Sequence, residues 1–293
     1  MASIAICTIT YNQQHCVDRL IANIKECRGK DRFFHIRDDC STDKTFNLCS
    51  AFKANDIEVC QNTVNLGSRL NGVEVLNNCT QDYIICKGGD DLIYGPALEK
   101  AQRIIQEESP DLILCKAGYI GFDSALQLSR QADLCAKLKK EFVKNSIIFD
   151  QRWDRLQSLL DAAATLPGLV WTQGLIARTS VLRRSGYLPG GEVDDWGLLH
   201  NLAVLARHEE LKVAYLDDIL SIIGFVEGSQ GTDPVRQLYR QLHAIEHYWH
   251  DDLKKAAFCN SILKKISGFM QSDISYRAVR GAVLTALQKS KEE

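Results

Sequence analysis

The sequence lacks the features that mark several classes of protein. It has only 5 prolines in 293 residues, and no stretch approaches the roughly 20 consecutive apolar residues that span a bilayer. Its 35 Lys and Arg nearly balance its 37 Asp and Glu, leaving a net charge of −2. This balance argues against a nucleic-acid binder, because such proteins concentrate a basic excess on one face. With 45% hydrophobic residues, the composition is that of a globular protein.

The cysteine pattern argues against zinc knuckles and thioredoxin-like redox sites. The sequence has 11 cysteines, an odd number, and none of them forms a C-x-x-C pair. Several lie in apolar runs such as Ile4–Ile9 and Tyr83–Cys86, where a free thiol behaves as a small hydrophobe. The first residues also lack the basic and apolar regions of a secretory signal. Together these features predict a reduced, cytoplasmic chain that meets a membrane only from its surface.

Strand-like and helix-like stretches alternate along the first 115 residues. The predicted strands are Ile4–Ile9, Phe33–Arg37, Ile57–Cys60, Tyr83–Cys86 and Asp111–Cys115. Four helices are predicted between these strands. Asn12 is expected to cap the first helix, and Ser41 or Thr42 the second. The third helix is Gly67–Asn78, and the fourth begins at Pro96. Such alternation is typical of a mostly parallel sheet with helices on both faces.

The second half of the sequence is less regular. Residues 118–167 are predicted to be mostly helical, and the C-terminal residues after Pro234 form amphipathic helices. Between them we predict strands at Leu169–Ala177, Val213–Leu216 and Ile219–Val226, and helices at Ser180–Arg184 and Leu198–Ala206. The chain is therefore expected to divide into a regularly alternating part (1–117), a less regular part (118–232) and a helical extension (233–293).

Polar loops follow the predicted strands, where ligands bind in an open parallel sheet. Asp38–Asp43 follows the second strand, and Gly88–Asp91 follows the fourth. There is no G-x-G-x-x-G after the first strand and no G-K-[ST] loop, which excludes dinucleotide-binding and P-loop sites. Taken singly, each acidic loop is equally compatible with a helix cap or a turn. Taken together, carboxylates at this edge require a divalent cation, Mn2+ or Mg2+, to hold a diphosphate.

Four segments in order resemble the N-terminal half of the inverting glycosyltransferases of family two, which have the Rossmann-like GT-A fold. The segments read SIAICTITYN, HIRDDCSTDKT, NLGSRLNG and DYIICKGGDDLIYGP. The second half adds WTQGLIARTSVLRRSGYL and VDDWGLLHNLA, so the resemblance extends over residues 3–231. It implies a GT-A sheet flanked by helices, with a C-terminal helical extension.

The resemblance also implies roles for individual residues on the donor side. Thr10, Tyr11 and Asn12 would line the nucleotide pocket, and Asp39 would accept a hydrogen bond from uracil. Asn65 and Arg69 would lie against the base and diphosphate. In the segment Gly88–Asp91, Asp90 matches the metal-binding carboxylate of the family's DXD motif. Gly88 replaces the first Asp of that motif, and Asp91 is expected to compensate through a donor contact.

On the acceptor side, the resemblance identifies Asp194, Asp195 and Trp196 as the acidic pair and Trp that furnish the catalytic base. Asp195 occupies the base position, where a carboxylate takes the proton of the attacking hydroxyl. Asp194 and Trp196 are expected to contact the substrate. By itself the pair is also typical of a helix N-terminus. Val226 stands where many members carry a His, which removes one expected metal ligand.

The sequence therefore predicts a metal-dependent inverting glycosyltransferase of the hexosyltransferase type. Its donor would be a UDP-sugar and its acceptor a lipid-linked glycan of a bacterial surface polysaccharide, such as O-antigen or capsule. The C-terminal helices carry interleaved apolar and basic residues, which suits either a peripheral membrane contact at the cytoplasmic face of the inner membrane or packing on the catalytic domain or on another subunit. The alternative is a degenerate transferase that binds nucleotide sugars without turnover, as a partner in a glycan-assembly complex. No nucleic-acid partner is expected, and the oligomeric state stays open.

Overall fold

The computed structural model describes residues 2–121, 174–185, 202, 205 and 208–225, and the side chains of 118–121 and 225 are left out of the description. Its strands form one eight-stranded sheet with the order β3-β2-β1-β4-β7-β6-β8-β5. The strands are β1 Ile4–Thr10, β2 Arg32–Asp38, β3 Ile57–Gln61, β4 Tyr83–Gly88, β5 Leu92–Ile93, β6 Leu112–Gly121, β7 Leu175–Arg178 and β8 Val213–Phe225. The helices are α1 Val17–Cys27, α2 Thr45–Ser50, α3 Gly67–Asn78, α4 Gly95–Glu108 and α5 Thr179–Arg184, with a short 3-10 helix at Gln14–Cys16.

The four strands β3, β2, β1 and β4 are parallel, so their carboxyl ends share one edge of the sheet. Thr10 pairs with Asp38, and Asp38 pairs with Gln61. On the other side of β1, Ile9 pairs with Gly88. The register therefore brings the loops after β1, β2, β3 and β4 together, as the alternation of strands and helices predicted.

The other half of the sheet mixes strand directions. β7 runs antiparallel to both β4 and β6, while β8 runs parallel to β6 and antiparallel to β5. Two strands were predicted at Val213–Leu216 and Ile219–Val226, whereas the structure has a single strand β8. The pairing of β8 with β6 shifts register on both sides of Lys116 of β6. This irregularity accommodates the polar residues of β8 that lie between the two predicted apolar runs. β5, which has two residues, was not predicted.

The core lies between the sheet and its helices, and most predicted core positions are confirmed. Val17, Leu20, Ile21 and Ile24 of α1 are all buried, as their helical spacing indicated. Leu70 of α3 has the helical spacing of a core position, three residues before the buried Val73, but it is 38% exposed. All nine cysteines among the described residues are free thiols.

Both side-chain helix caps predicted from the sequence are wrong. α1 is preceded by the 3-10 helix, and Asn12 binds a neighbouring loop instead of the helix. α2 begins at Thr45, and Asp43 rather than Ser41 or Thr42 accepts the Thr45 backbone N–H, at 2.9 Å. In each case the polar residues before the helix correctly predicted a loop, but they did not predict which hydrogen bonds these side chains make.

No helix within the described ranges is long and apolar enough to cross a membrane. One compact unit comprises Met1–Asp150, Trp171–Tyr187 and Glu209–Val226, and it contains the whole sheet. The predicted boundaries at 117 and 232 stay a prediction: β6 continues past residue 117 to Gly121, and residues 122–173 and 226–293 lie outside the described ranges.

Candidate active site

The carboxylate of Asp38 joins the loops that follow β1, β2 and β3. Its Oδ1 accepts hydrogen bonds from Thr10 Oγ1 at 3.1 Å and from Ser41 Oγ at 2.5 Å. Its Oδ2 accepts hydrogen bonds from the Ser41 backbone N at 2.8 Å and from Gln61 Nε2 at 3.0 Å. Asp38 is 0% exposed and Thr10 is 3% exposed. Thr10 was predicted to line the nucleotide pocket, and its hydroxyl group donates to the buried Asp38 carboxylate.

Asn12 connects the loop after β1 to the loop after β2. Its backbone has a φ of 50°, in the left-handed region that Asn tolerates better than most residues. Its N–H donates to Ser41 Oγ at 2.8 Å, and its Oδ1 accepts from the Thr42 backbone N at 2.8 Å. The neighbouring Tyr11 remains 45% exposed. The two loops therefore form one rigid edge that presents an aromatic ring to solvent.

Asp39 occupies the centre of this edge and is 2% exposed. Its backbone N donates to Thr10 O at 2.8 Å. Its Oδ1 accepts hydrogen bonds from Asn62 Nδ2 and from the Leu66 backbone N, both at 2.8 Å. Asn62 was missed by the sequence reasoning, and the available signal was an Asn immediately after β3. The Asp39 carboxylate is thus fixed through Oδ1, and no described residue donates to Oδ2.

The segment before and within α3 carries the next two predicted residues. Asn65 Oδ1 accepts the Gly67 N–H at 3.0 Å and so stabilises the start of the helix. Gly67 adopts a φ of 79°, a conformation that favours glycine. Two residues further on, Arg69 Nη1 is a buried donor without a hydrogen-bond acceptor among the described residues. A buried donor of this kind is suited to an anionic ligand that completes its hydrogen bonding.

In the loop Gly88–Asp91, other side chains occupy the space beside both glycines. A Cβ on Gly88 would lie 2.6 Å from Asp90 Oδ1 and 3.1 Å from Asp91 Oδ2. A Cβ on Gly89 would lie 2.4 Å from Gln13 Oε1. Gln13 Oε1 is itself buried without a hydrogen-bond partner in the described part of the chain. The two carboxylates therefore converge over Gly88, where the family's first Asp would carry its side chain.

Asp91 is 3% exposed and holds this loop in place. Its Oδ2 accepts the Gly88 backbone N–H at 2.8 Å, and its Oδ1 accepts the Gly224 N–H from β8 at 3.0 Å. Burial, followed by the charge of Asp90, raises the pKa of Asp91 to about 6. Both of its oxygens face backbone amides, and its predicted contact to the donor stays a prediction.

Asp90 is the more accessible carboxylate of the pair, since it is only half-buried. Burial raises the pKa of Asp90, while Lys87, a hydrogen bond from Gln13 and the charge of Arg19 act in the opposite direction. A partly desolvated carboxylate beside a second one attracts a cation. This environment is what the predicted metal ligand requires.

Lys87 is a charged residue of the site that sequence reasoning missed. It is the penultimate residue of β4 and is 4% exposed. Its Nζ donates to Asp91 O at 2.8 Å and to Gly88 O at 3.2 Å. Burial lowers the pKa of Lys87, while the charges of Asp91 and Asp90 act in the opposite direction. The signal was a lysine within the apolar strand YIICK, directly before an acidic pair.

The structure thus brings Thr10, Asn12, Asp39, Arg69 and Asp90 to the loops at one edge of the sheet. Three further site residues, Asp194, Asp195 and Trp196, lie outside the described residues, as does Val226. The prediction that Asp195 is the base therefore depends on the sequence resemblance.

The residues present fit a divalent cation of the Mg2+ or Mn2+ type. Asp90 Oδ1 lies over Gly88, where no side chain intervenes, and a carboxylate oxygen is the ligand that these ions prefer. The described residues contain no group of three or more His, Cys, Asp or Glu arranged to hold a metal. A single protein carboxylate is consistent with an ion that takes its remaining ligands from a diphosphate and water.

Solved structures share this fold at low sequence identity. A fragment of S. aureus TarS in complex with UDP-GlcNAc gives a TM-score of 0.67 at 15% identity, over 99% of this chain and 83% of that chain. The mannosyltransferase PcManGT from Pyrobaculum calidifontis, in complex with GDP-Man and Mn2+, gives a TM-score of 0.59 at 12% identity, over 98% of this chain and 86% of that chain. The structural likeness confirms the predicted GT-A fold.

Sequence comparison with whole families is more decisive. A comparison with curated proteins found no match. The family profile described as glycosyl transferase family 2, however, matches residues 5–158, which is more than half of the 293 residues. This span contains the loops after β1, β2, β3 and β4, with Asp39 and Asp90. The chain therefore belongs to glycosyl transferase family 2.

Proposed function

We propose that this protein transfers a sugar from a UDP-sugar to a hydroxyl group of a glycan, with inversion at the anomeric carbon. The observation that carries the proposal is the placement of a fixed carboxylate, Asp39, and a cation-attracting carboxylate, Asp90, in loops at the same edge of the sheet. A nucleotide sugar has a base at one end and a diphosphate near the other. The two loops therefore match the two ends of one donor molecule.

The base of the donor would bind at Asp39. Its Oδ1 is held by Asn62 and by the Leu66 N–H, which leaves Oδ2 as an acceptor for the imino N–H of uracil. Tyr11 is exposed at the same edge and offers an aromatic face. Asn65 and Arg69 would flank the base and the diphosphate. The Nη1 of Arg69, which has no hydrogen-bond acceptor among the described residues, would donate to phosphate oxygen.

The diphosphate would bind near Asp90, which would hold Mn2+ or Mg2+. The bound ion would offset the negative charge that develops on the departing nucleoside diphosphate. Asp91 would hold the loop and Lys87 would lie beneath it. On the acceptor side, Asp195 would remove the proton of the attacking hydroxyl, with Asp194 and Trp196 in contact with the substrate. Attack opposite the leaving group inverts the anomeric centre.

The acceptor is proposed from the resemblance alone. It would be a lipid-linked glycan of a bacterial surface polysaccharide, extended at the cytoplasmic face of the membrane. The C-terminal helices that would make a peripheral contact there lie outside the described residues.

The proposal is tested by nucleoside diphosphate release from a panel of UDP-sugars and GDP-sugars, with Mn2+ and a set of glycan acceptors. The full chain should prefer a UDP-sugar. Asp195→Asn should lower transfer about a hundredfold or more while donor binding persists, because it keeps the shape but loses the proton acceptor. Unchanged transfer in Asp195→Asn would overturn its role as the base.

Gly88 supports a second candidate, a protein that binds nucleotide sugars without turnover. The site lacks the first acidic residue of the motif, and the Asp90 carboxylate occupies that space. Calorimetry distinguishes the two functions. Tight binding of a UDP-sugar with no release of UDP, across every acceptor tried, would favour the second candidate over the first.

A further inference from the structure

Lys87 places a positive charge inside the protein, directly beneath the proposed metal loop. It is 4% exposed, and its Nζ binds the carbonyl oxygens of Gly88 and Asp91. Gly88 and Asp91 are the first and last residues of the loop, so the ammonium group of Lys87 connects its two ends through hydrogen bonds. The arrangement requires a long side chain with a donor at its tip, at this point of β4.

Carbonyl oxygens alone do not explain a buried ammonium group. Taking such a charge out of water is costly unless opposite charges lie nearby. The nearest opposite charges in sequence are Asp90 and Asp91, whose carboxylates converge over Gly88. Two carboxylates at such short range repel each other when both are ionised. The loop thus holds two like charges that need a cation, together with a lysine that needs anions.

We propose that Lys87 is the resident counter-cation of the Asp90–Asp91 loop, a positioning residue that keeps Asp90 in place before a divalent ion binds. The inference rests on the proposed function in one respect, which is that Asp90 is the metal ligand. Lys87 contacts neither donor nor acceptor in this account. Lys87 acts through the loop: its charge offsets those of the two carboxylates, and its hydrogen bonds hold both ends of the loop.

The proposal has a consequence for metal affinity. A lysine and a divalent ion attracted to the same two carboxylates repel each other. At an effective dielectric constant of about 20, one positive charge within about 10 Å of a divalent ion changes the affinity for that ion by at least about tenfold. Removing the lysine should therefore make the loop bind Mn2+ more tightly and depend on it for its structure.

The test is the thermal unfolding of the full chain during a titration with Mn2+ alone, without nucleotide. Lys87→Met should require at least about tenfold less Mn2+ for half of its stabilisation and should gain more in Tm than the parent protein. Lys87→Arg, which keeps the charge, should resemble the parent. The control is Lys100→Met, which breaks the 2.6 Å ion pair to the buried Asp218. It should lower Tm without changing the Mn2+ response.

An identical Mn2+ response in Lys87→Met and Lys100→Met would overturn the proposal, because both lysines would then be structural only. If Lys87→Met does not fold in a chelator, the test is folding in Mn2+. Recovery of the folded state in Mn2+ supports the proposal, and failure to recover it overturns the proposal.

A third variant separates this inference from the proposed function. If Asp90→Ala keeps the Mn2+ response of the parent protein, the metal role of Asp90 fails and this inference fails with it. If Asp90→Ala abolishes the response while Lys87→Met leaves it unchanged, only the role of Lys87 fails.

Discussion

Two Asp–Asp pairs stand at the same edge of the sheet, and their surroundings differ. Asp38 is the last residue of β2 and Asp39 follows it. This pair accepts hydrogen bonds from neutral donors, namely Thr10, Ser41, Gln61, Asn62 and the Leu66 N–H. Asp90 and Asp91 follow β4, lie beside the buried Lys87 and have raised pKa values. The same dipeptide therefore serves two purposes. Neutral donors alone hold the first pair, whereas Asp91 combines two backbone N–H donors with the nearby charge of Lys87, and Asp90 stays accessible to a cation.

This difference predicts where metal should matter. The first pair needs no ion, because neutral donors among the described residues hold both of its carboxylates. The second pair is stabilised by charge as well, through Lys87 and through any divalent ion. Disturbing the first pair should therefore change folding and base recognition equally with and without metal. Disturbing the second should change the metal dependence.

The largest expected effect is that of Asp38→Ala on stability. The substitution leaves four donor groups without their acceptor in a site that is 0% exposed. We expect the free energy of unfolding to fall by about 3 kcal/mol, as judged by urea denaturation. The exposed Asp18→Ala should change it by less than about 0.5 kcal/mol. The loss of stability should be the same in Mn2+ and in a chelator. If Mn2+ restores the lost stability, the first pair also depends on metal and the difference between the two pairs is refuted.

Asp39→Asn should weaken UDP binding about tenfold or more, because an amide N–H replaces the oxygen proposed to accept the base N–H. Asn62 and Leu66 can still donate to the remaining oxygen, so the protein should stay folded. Calorimetry with UDP and circular dichroism measure the two properties. If UDP affinity is unchanged in the folded variant, the base does not bind at Asp39.

Gly88→Ala should weaken Mn2+-dependent UDP binding several-fold, since its Cβ would lie 2.6 Å from Asp90 Oδ1 and push that carboxylate aside. Binding in a chelator should not change. The control is Gly95→Ala, where the nearest atom to a new Cβ is 3.7 Å away. Equal behaviour of the two alanine variants would show that the position of Asp90 is not critical.

The smallest effect concerns Asp82, a carboxylate at the opposite end of β4. The Ser3 backbone N–H donates to it at 2.8 Å and holds the pKa of Asp82 below its usual value. The stabilisation is therefore present above about pH 4, the unfolded pKa, and is lost as the pH falls through the folded pKa. Because Asp82 is exposed, Asp82→Asn should cost only about 0.5 kcal/mol at neutral pH. Denaturation curves at neutral and acid pH measure it, and a loss independent of pH would refute the charge effect.

The sequence predicted the parallel half of the sheet well because its signals are local. Apolar runs, helical spacing at Val17 to Ile24 and the polar loops after the strands all depend on neighbouring residues. The hydrogen bonds between loops could not be predicted from the sequence. Asn12 binds Thr42 rather than a helix, since a side chain of this type can accept any N–H that the fold brings near. Strand β8 is continuous because pairing with β6 bridges its polar residues.

The candidate site shows the same limit. Asp39 and Asp90 were predicted because they match motif positions of the family. Asn62 was missed since its importance comes from a bond to Asp39, which lies 23 residues away in sequence. Lys87 was missed because alternation along β4 indicates only that a position is buried. The sequence does not indicate that a buried lysine there closes the acidic loop.

The most direct test of the account is calorimetric titration of UDP into the parent protein and into Asp90→Ala, each in Mn2+ and in a chelator. We expect the parent to bind UDP at least about tenfold more tightly in Mn2+, and Asp90→Ala to lose this gain while keeping the affinity seen in the chelator. That result would assign the base to the first acidic pair and the metal to the second. An equal gain from Mn2+ in both proteins would contradict the account.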